Sequence, residues 1–310
     1  MARFLVVPQW QGSSSSRAMQ LVDGAHAVLG DLPRSGSRMI EVPLEAGESL
    51  DTGVLRMSAL NQTAKHLREA LDEHHAHGQD VVTIGGDAGI ATIAALHALS
   101  NADGEVAVVW FGARASLHSP ETSRTKAFHG MAARTLIDTV VPRPDADADT
   151  PILRGNRLVV VGVRTMDDEE IEAAAAHQVC LISPDELDPE ALAAAIVVTG
   201  ASRVFVHVDL NVLDPAALAG LGFAEPFGLE PQQLLDAIAA VRAVVPLAGA
   251  AITEYSPSSP AAVTHDMSTI LRIVGALAWR PPHLLPTGRH RPRPRWSEAC
   301  GGIDSALRCC

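Results

Sequence analysis

The run Asp80-Val81-Val82-Thr83-Ile84-Gly85-Gly86-Asp87-Ala88-Gly89, leading into Ile90-Ala91-Thr92-Ile93-Ala94-Ala95-Leu96, decides the fold. Its first part is apolar and β-branched without alternation, as suits a strand covered on both faces of a parallel sheet. Two glycines then turn the chain, and an Ala/Leu-rich segment of helical length follows. This unit recurs along the sequence. Strands are expected at Phe4–Val7, Arg38–Val42, Asp80–Ile84, Val106–Phe111, Leu158–Val163, Val179–Ile182, Arg203–Val208 and Leu247–Thr253. Helices are expected at Arg17–Leu29, Leu55–His77, Ile90–Ser100, Met131–Val140, Asp168–Ala176, Pro189–Thr199, Glu230–Val245 and Ala261–Leu277. Regular β-then-α alternation implies a three-layer α/β/α sandwich around a mainly parallel, doubly wound sheet, here one domain over residues 1–280.

Around this pattern lie three irregular stretches. Ser13–Ser16 reads as a polar loop, and Pro142–Pro151, with Asp145, Asp147 and Asp149, as a solvated one. From Pro281 to Cys310 the chain is rich in Pro and Arg and then in small polar residues, so a disordered tail is expected.

Composition narrows the classes. The 310 residues are 47% hydrophobic and 19% charged, enough for a large core. Twenty-four Lys and Arg against thirty-six Asp and Glu leave a net charge of −12, which argues against phosphate backbones and hence nucleic acid. The apolar stretch Leu234–Ile252 is interrupted by Asp236, Arg242 and Pro246, so no membrane span is expected. Three of the four cysteines fall in the last eleven residues, so the body needs no disulfide, and a cytoplasmic protein is expected. No Gly-x-Gly-x-x-Gly or Gly-Lys-Ser/Thr phosphate loop occurs. His74, His75 and His77 close a helix, where cations are favourable without a metal.

Ligands of open α/β sheets bind at the carboxyl ends of the strands. The polar residues just past each strand are therefore the candidates: Asp87, Arg114, Ser116, Asp209, Asp214 and Glu254 would reach one edge. Each alone is also a natural cap or turn former. Their joint arrival there points to a site.

Several of these segments form one ordered series: Gly85-Gly86-Asp87, Val109-Trp110-Phe111, Pro120-Glu121-Thr122-Ser123, Phe128-His129-Gly130-Met131, His207-Val208-Asp209-Leu210 with Asp214-Pro215, and Ile252-Thr253-Glu254-Tyr255. The series resembles the ureohydrolase superfamily of arginase, agmatinase and formimidoylglutamase, and implies an arginase-like fold. It also implies an oligomer, a trimer or hexamer. Members hold two manganese ions with six side chains, and a bridging hydroxide attacks a guanidinium or amidine carbon.

Carried onto this sequence, that ligand set is degenerate. The six positions are Ala88, Gly112, Arg114, Ser116, Asp209 and Asn211, so five of six ligands are replaced and Asp209 alone survives. Ala and Gly have no ligand atom, and Arg does not deprotonate. No metal is expected. Arg114 is the candidate counter-charge for Asp209 and Glu254 in place of the ions, although neutral drift would leave a similar set.

By the same resemblance His129 matches the proton-shuttling His, Glu254 the carboxylate that grips the guanidinium, and Asp214-Pro215 a loop-shaping turn. The candidate catalytic set is His129, Glu254, Asp209, Arg114 and Ser116, the last a nucleophile without an evident base. His118, Thr125, Asn211 and Asp214 are the candidate substrate contacts. His118 and Ala127 stand where arginase places Asn residues that read the amino-acid end of arginine, so arginine is not the expected ligand. Three readings stay open: a metal-independent enzyme acting on a small polar molecule, a noncatalytic binding module or partner subunit, and a conventional manganese-dependent C–N hydrolase.

Overall fold

The computed structural model describes residues 2–102, 105–145 and 150–278. The tail expected from Pro281 onward, and Asp147 and Asp149 of the solvated loop, lie outside these residues. The elements in chain order are β1 (Arg3–Val6), α1 (Gln20–Asp31), β2 (Ser37–Met39), α2 (Met57–Ala76), β3 (Val81–Ile84), α3 (Gly89–Ser100), β4 (Val106–Phe111) and α4 (Arg134–Ile137). They continue with β5 (Leu158–Val161), α5 (Asp168–His177), β6 (Cys180–Ile182), α6 (Pro189–Val198), β7 (Arg203–Asp209), α7 (Pro231–Val244), β8 (Leu247–Thr253) and α8 (Pro260–Ala278).

The strands form one sheet in the order β2-β1-β3-β8-β7-β4-β5-β6. All its pairings are parallel. β4 lies among the inner strands and is buried along its whole length. Val106, Val108 and Trp110 join the core under α2, α3, α4 and α5, while Ala107, Val109 and Phe111 join the core under α1, α6, α7 and α8. Burying both faces explains the unbroken apolar run. Each fully buried Val or Phe stabilises by about 1.5–3 kcal/mol. No helix among the described residues is long and apolar enough to cross a membrane.

Several expected elements are shorter in the structure; β2 ends at Met39 rather than Val42, and two others stop for local reasons. The helix expected over Met131–Val140 is helical only at Arg134–Ile137, after a 3₁₀ turn at Phe128–Met131. Asp138 is extended (φ −144°), and its Oδ1 accepts the Val140 N–H at 3.1 Å, so the side chain ends the helix. β5 stops at Val161 rather than Val163 because Gly162 takes φ +85°. α5 and α6 start as the sequence suggests, with Asp167 and Asp188 accepting the N–H groups of Glu170 and Ala191.

The register brings the strand ends level. Ile84 pairs with Ile252, Phe111 with Val208, and Asp209 with Thr253. The loops leaving β3, β4, β7 and β8, four adjacent strands, therefore meet at one edge. The Glu254 N–H donates to Gly86 O at 2.9 Å, joining two of these loops. Gly86 has φ +65°, and a Cβ there would lie 2.6 Å from Gln9 O, so only glycine fits.

Candidate functional site

Three carboxylates are fixed at this edge, each in a different way. Asp87 is fully buried and accepts from Gln9 Nε2 at 3.0 Å and from the backbone N–H groups of Gly12 and Gly89, both at 2.8 Å. Burial nevertheless pushes its carboxyl up to about 6, against the pull of these bonds. Its role is to tie the loop after β1 to the loop after β3. Glu254 is 1% exposed, in the left-handed region at φ +69°. Its Oε1 accepts the Ala88 N–H at 3.0 Å, and its Oε2 has no hydrogen-bond partner. Burial, then the charges of Asp209 and Asp87, raise it well above the usual carboxylate range. Asp209, at the end of β7, accepts both the backbone N–H and the Nδ2 of Asn211 on Oδ1 at 2.8 Å. Burial lifts Asp209 to about 6, with the Asn211 bonds, Arg114 and Arg164 opposing.

Arg114 does not form the expected pair with Asp209 or Glu254. Its Nη2 is 2.6 Å from Glu225 Oε1, its side chain is 45% exposed, and its guanidinium lies 5.4 Å from the centre of the Phe223 ring. The reason is solvation. A pair at the cleft mouth keeps both charges partly wet, whereas reaching inward would strip the guanidinium of water. Asp209 is satisfied by an amide neighbour and a raised pKa instead. Arg164 fastens the same region, donating to the carbonyls of Asn211 at 3.0 Å, Glu225 at 2.8 Å and Pro226 at 2.9 Å.

A cavity of about 260 Å³ opens between these loops. Arg114, Ser116, His118, Thr125, His129, Asp209 and Asn211 border it. Ser116 is buried at φ +57°, a strained conformation for a non-glycine residue. His129 Nε2 lies 2.8 Å from Ser14 Oγ, and its ring stacks on Phe223. Burial, then Arg114 and His118, push His129 down to about 4, so the imidazole is neutral at pH 7. Thr125 Oγ1 accepts the Ala127 N–H at 3.3 Å.

Two expected site residues stand elsewhere. Glu254 lies outside the lining, its Oε1 occupied by the backbone of Ala88. Asp214 accepts the N–H groups of Ala216 at 2.9 Å and Gly228 at 3.0 Å, so it shapes its own loop rather than contacting the cavity.

Lining residues not read from the sequence as site residues include Ser14, Arg124, Phe223, Asp167 and Glu170. Asp167 and Glu170 follow β5 as an Asp-x-x-Glu pattern, which reads as a helix start. Their place at the carboxyl edge was the overlooked signal. His118 Nε2 is 3.3 Å from Asp167 Oδ2 and 3.9 Å from Glu170 Oε2. A larger opening of about 450 Å³, bordered by His75, Arg203 and Arg242, lies at the opposite, amino-terminal edge.

An eight-strand parallel sheet in this order, with loops from its four inner strands enclosing one polar cleft, defines an arginase-like α/β/α protein. The chain belongs to the arginase family, whose model matches residues 14–274. It is similar to an arginase of Staphylococcus aureus, 22% identical over 188 residues, which are 58% of this chain and 62% of that one. It is also similar to the N(1)-aminopropylagmatine ureohydrolase of Thermus thermophilus, 26% identical over 193 residues, 62% of this chain and 60% of the relative. The matched segments thus span about three fifths of these relatives. The Entamoeba histolytica arginase solved with L-ornithine superposes with a TM-score of 0.76 at 19% identity, covering 89% of this chain and 99% of that one.

Proposed function

We propose that this chain is an arginase-family enzyme that acts on a small polar molecule in the carboxyl-edge cleft without the family's manganese pair. The observation that carries this reading is the donor set. Ala88 and Gly112 offer no ligand atom, Arg114 is paired with Glu225, and Asn211 is committed to Asp209. Two divalent ions would bring four positive charges to a single carboxylate, Asp209, and Mn²⁺ prefers carboxylate and imidazole. The residues present do not fit the pair.

What remains suits proton transfer. Asp209, lifted to about 6, is tuned to exchange a proton near neutrality. Neutral His129 lines the same cleft, and Ser116 contributes a hydroxyl. The lining carries both signs, with Arg114 and Arg124 against Asp209, Asp167 and Glu170. A molecule with both donors and acceptors matches it. We take the protein to work in the cytoplasm as a homo-oligomer, as the family resemblance implies.

One observation favours a noncatalytic binding module as a second reading. Ser14 holds His129 Nε2 while Phe223 covers the ring, which restrains the imidazole. A single experiment separates the readings. Chelator-treated protein is incubated with a cell metabolite extract, and depletion or product formation is followed by mass spectrometry beside Asp209→Asn. Metal-free turnover lost in the variant is the expected result. Retention of a metabolite without turnover supports the binding module. About two manganese per chain, with Mn²⁺-dependent release of urea from a guanidino compound, overturns the proposal and restores conventional hydrolysis.

A further inference from the structure

We propose that His118, Asp167 and Glu170 bind a single divalent transition-metal ion, at a site that uses none of the six positions of the family's metal pair. His118 comes from the loop after β4, and the two carboxylates from the start of α5. Their ligand atoms all lie within 4.8 Å of one another. The measured separations, 3.3 Å from His118 Nε2 to Asp167 Oδ2 and 3.9 Å to Glu170 Oε2, bracket the spacing of donors around one ion. Tetrahedral ligands about 2.1 Å from zinc stand roughly 3.4 Å apart, close to both of these separations.

The other polar atom of each side chain is already held. His118 Nδ1 is 3.1 Å from Thr122 Oγ1, which itself accepts the Ser119 N–H at 2.9 Å. Glu170 Oε1 accepts the Leu117 N–H at 3.0 Å, and Asp167 Oδ1 the Glu170 N–H at 3.1 Å. That leaves Nε2, Oδ2 and Oε2 turned toward a common point, as outer partners orient metal ligands.

Glu170 supplies an independent reason. The residue is only 6% exposed, and its Oε2 makes no hydrogen bond, the 3.9 Å contact with His118 being too long for one. Glu170 borders the cavity, so this oxygen can take a cation from it. A cation between the three satisfies all of them at once.

One imidazole nitrogen and two carboxylate oxygens suit Zn²⁺, Mn²⁺ or Fe²⁺, and two carboxylates balance a charge of two. All three residues border the cavity, so the remaining coordination positions open onto it. The inference does not rest on the proposed function, and each can fail without the other.

The test uses the full chain, stripped with chelator and titrated with Zn²⁺ by calorimetry, with Co²⁺ absorption as a second probe. Tail thiols are alkylated in a parallel sample. About one equivalent of Zn²⁺ that survives alkylation and Asp209→Asn, and weakens at least tenfold in both His118→Ala and Glu170→Gln, is the expected outcome. The bound Co²⁺ should show ligand-field bands without a thiolate charge-transfer band. His118→Gln replaces His118→Ala if the latter loses its circular dichroism signal. Overturning results are no stoichiometric binding by the parent chain, unchanged binding in the His118 and Glu170 variants, or binding lost on alkylation.

Discussion

Phe223 lies flat against His129, with ring centroids 4.9 Å apart and planes inclined by 13°. An aromatic cover of this kind withholds water from the imidazole and disfavours its charged form. Phe223→Ala should therefore raise the His129 pKa from about 4 toward 6.5, read from the imidazole signals in an NMR titration. A value still near 4 would assign the depression to Arg114 and the cavity walls instead.

The buried carboxylates make a pH prediction with a definite sign. Asp87 and Asp209 bind protons more tightly folded, at about 6, than unfolded, at the ordinary 3.8. Their contribution is complete below pH 4 and is lost as pH rises through 6. A displacement of that size corresponds to at most about 3 kcal/mol per group. His129, depressed to about 4, acts oppositely, losing its contribution as pH falls from 6.5 toward 4. Glu254, raised further still, acts with the two aspartates, and buried His207, lowered to about 3, acts with His129; with three carboxylates against two imidazoles, the melting temperature should fall between pH 5 and pH 8. Asp209→Asn should flatten that fall and stabilise the protein at pH 8. A thermal series at constant ionic strength checks both.

Removing the cation at 114 should be mild. The Arg114–Glu225 pair is partly exposed, and exposed pairs contribute about 0–1 kcal/mol. Arg114→Ala should cost under about 1 kcal/mol in urea unfolding, whereas a counter-ion to buried Asp209 would cost about 3–5 kcal/mol. A loss in the larger range would mean that the guanidinium reaches inward in solution.

Gly12→Ala should be severe. A Cβ there would lie 2.4 Å from Asp87 Oδ1 and within 2.9 Å of Oδ2, and three hydrogen bonds hold that carboxylate in place. Overpacking at a site that cannot yield costs about 1–3 kcal/mol, and a lost buried bond adds to it. Denaturant midpoints would show it, and a shift under about 0.5 kcal/mol would contradict the rigid account.

The sheet was legible because each strand carries its own evidence. β4 is apolar at every position and β3 is followed by two glycines, patterns that need no distant partner to be read. The site was legible only as a neighbourhood. That Arg114 takes Glu225, 111 residues along the chain, depends on how a loop without periodicity folds back. Phe223 belongs to the same loop. Asp167 and Glu170 were hidden for a different reason, since a helix-starting Asp-x-x-Glu has a sufficient local explanation. The α4 segment was overextended because its composition is helical while the terminating interaction, Asp138 with Val140, is a side-chain bond.

Asn211 joins two parts of the cleft, giving its amide hydrogen to Asp209 and taking the Phe223 N–H on its oxygen at 3.0 Å. Aspartate could do only the second, and it would set a like charge against Asp209. Asn211→Asp would thus push the two ends of this bridge apart and loosen the segment bearing the aromatic cover. An acid at position 211 is therefore disfavoured on structural grounds alone, because the amide ties the end of β7 to the loop that carries Phe223.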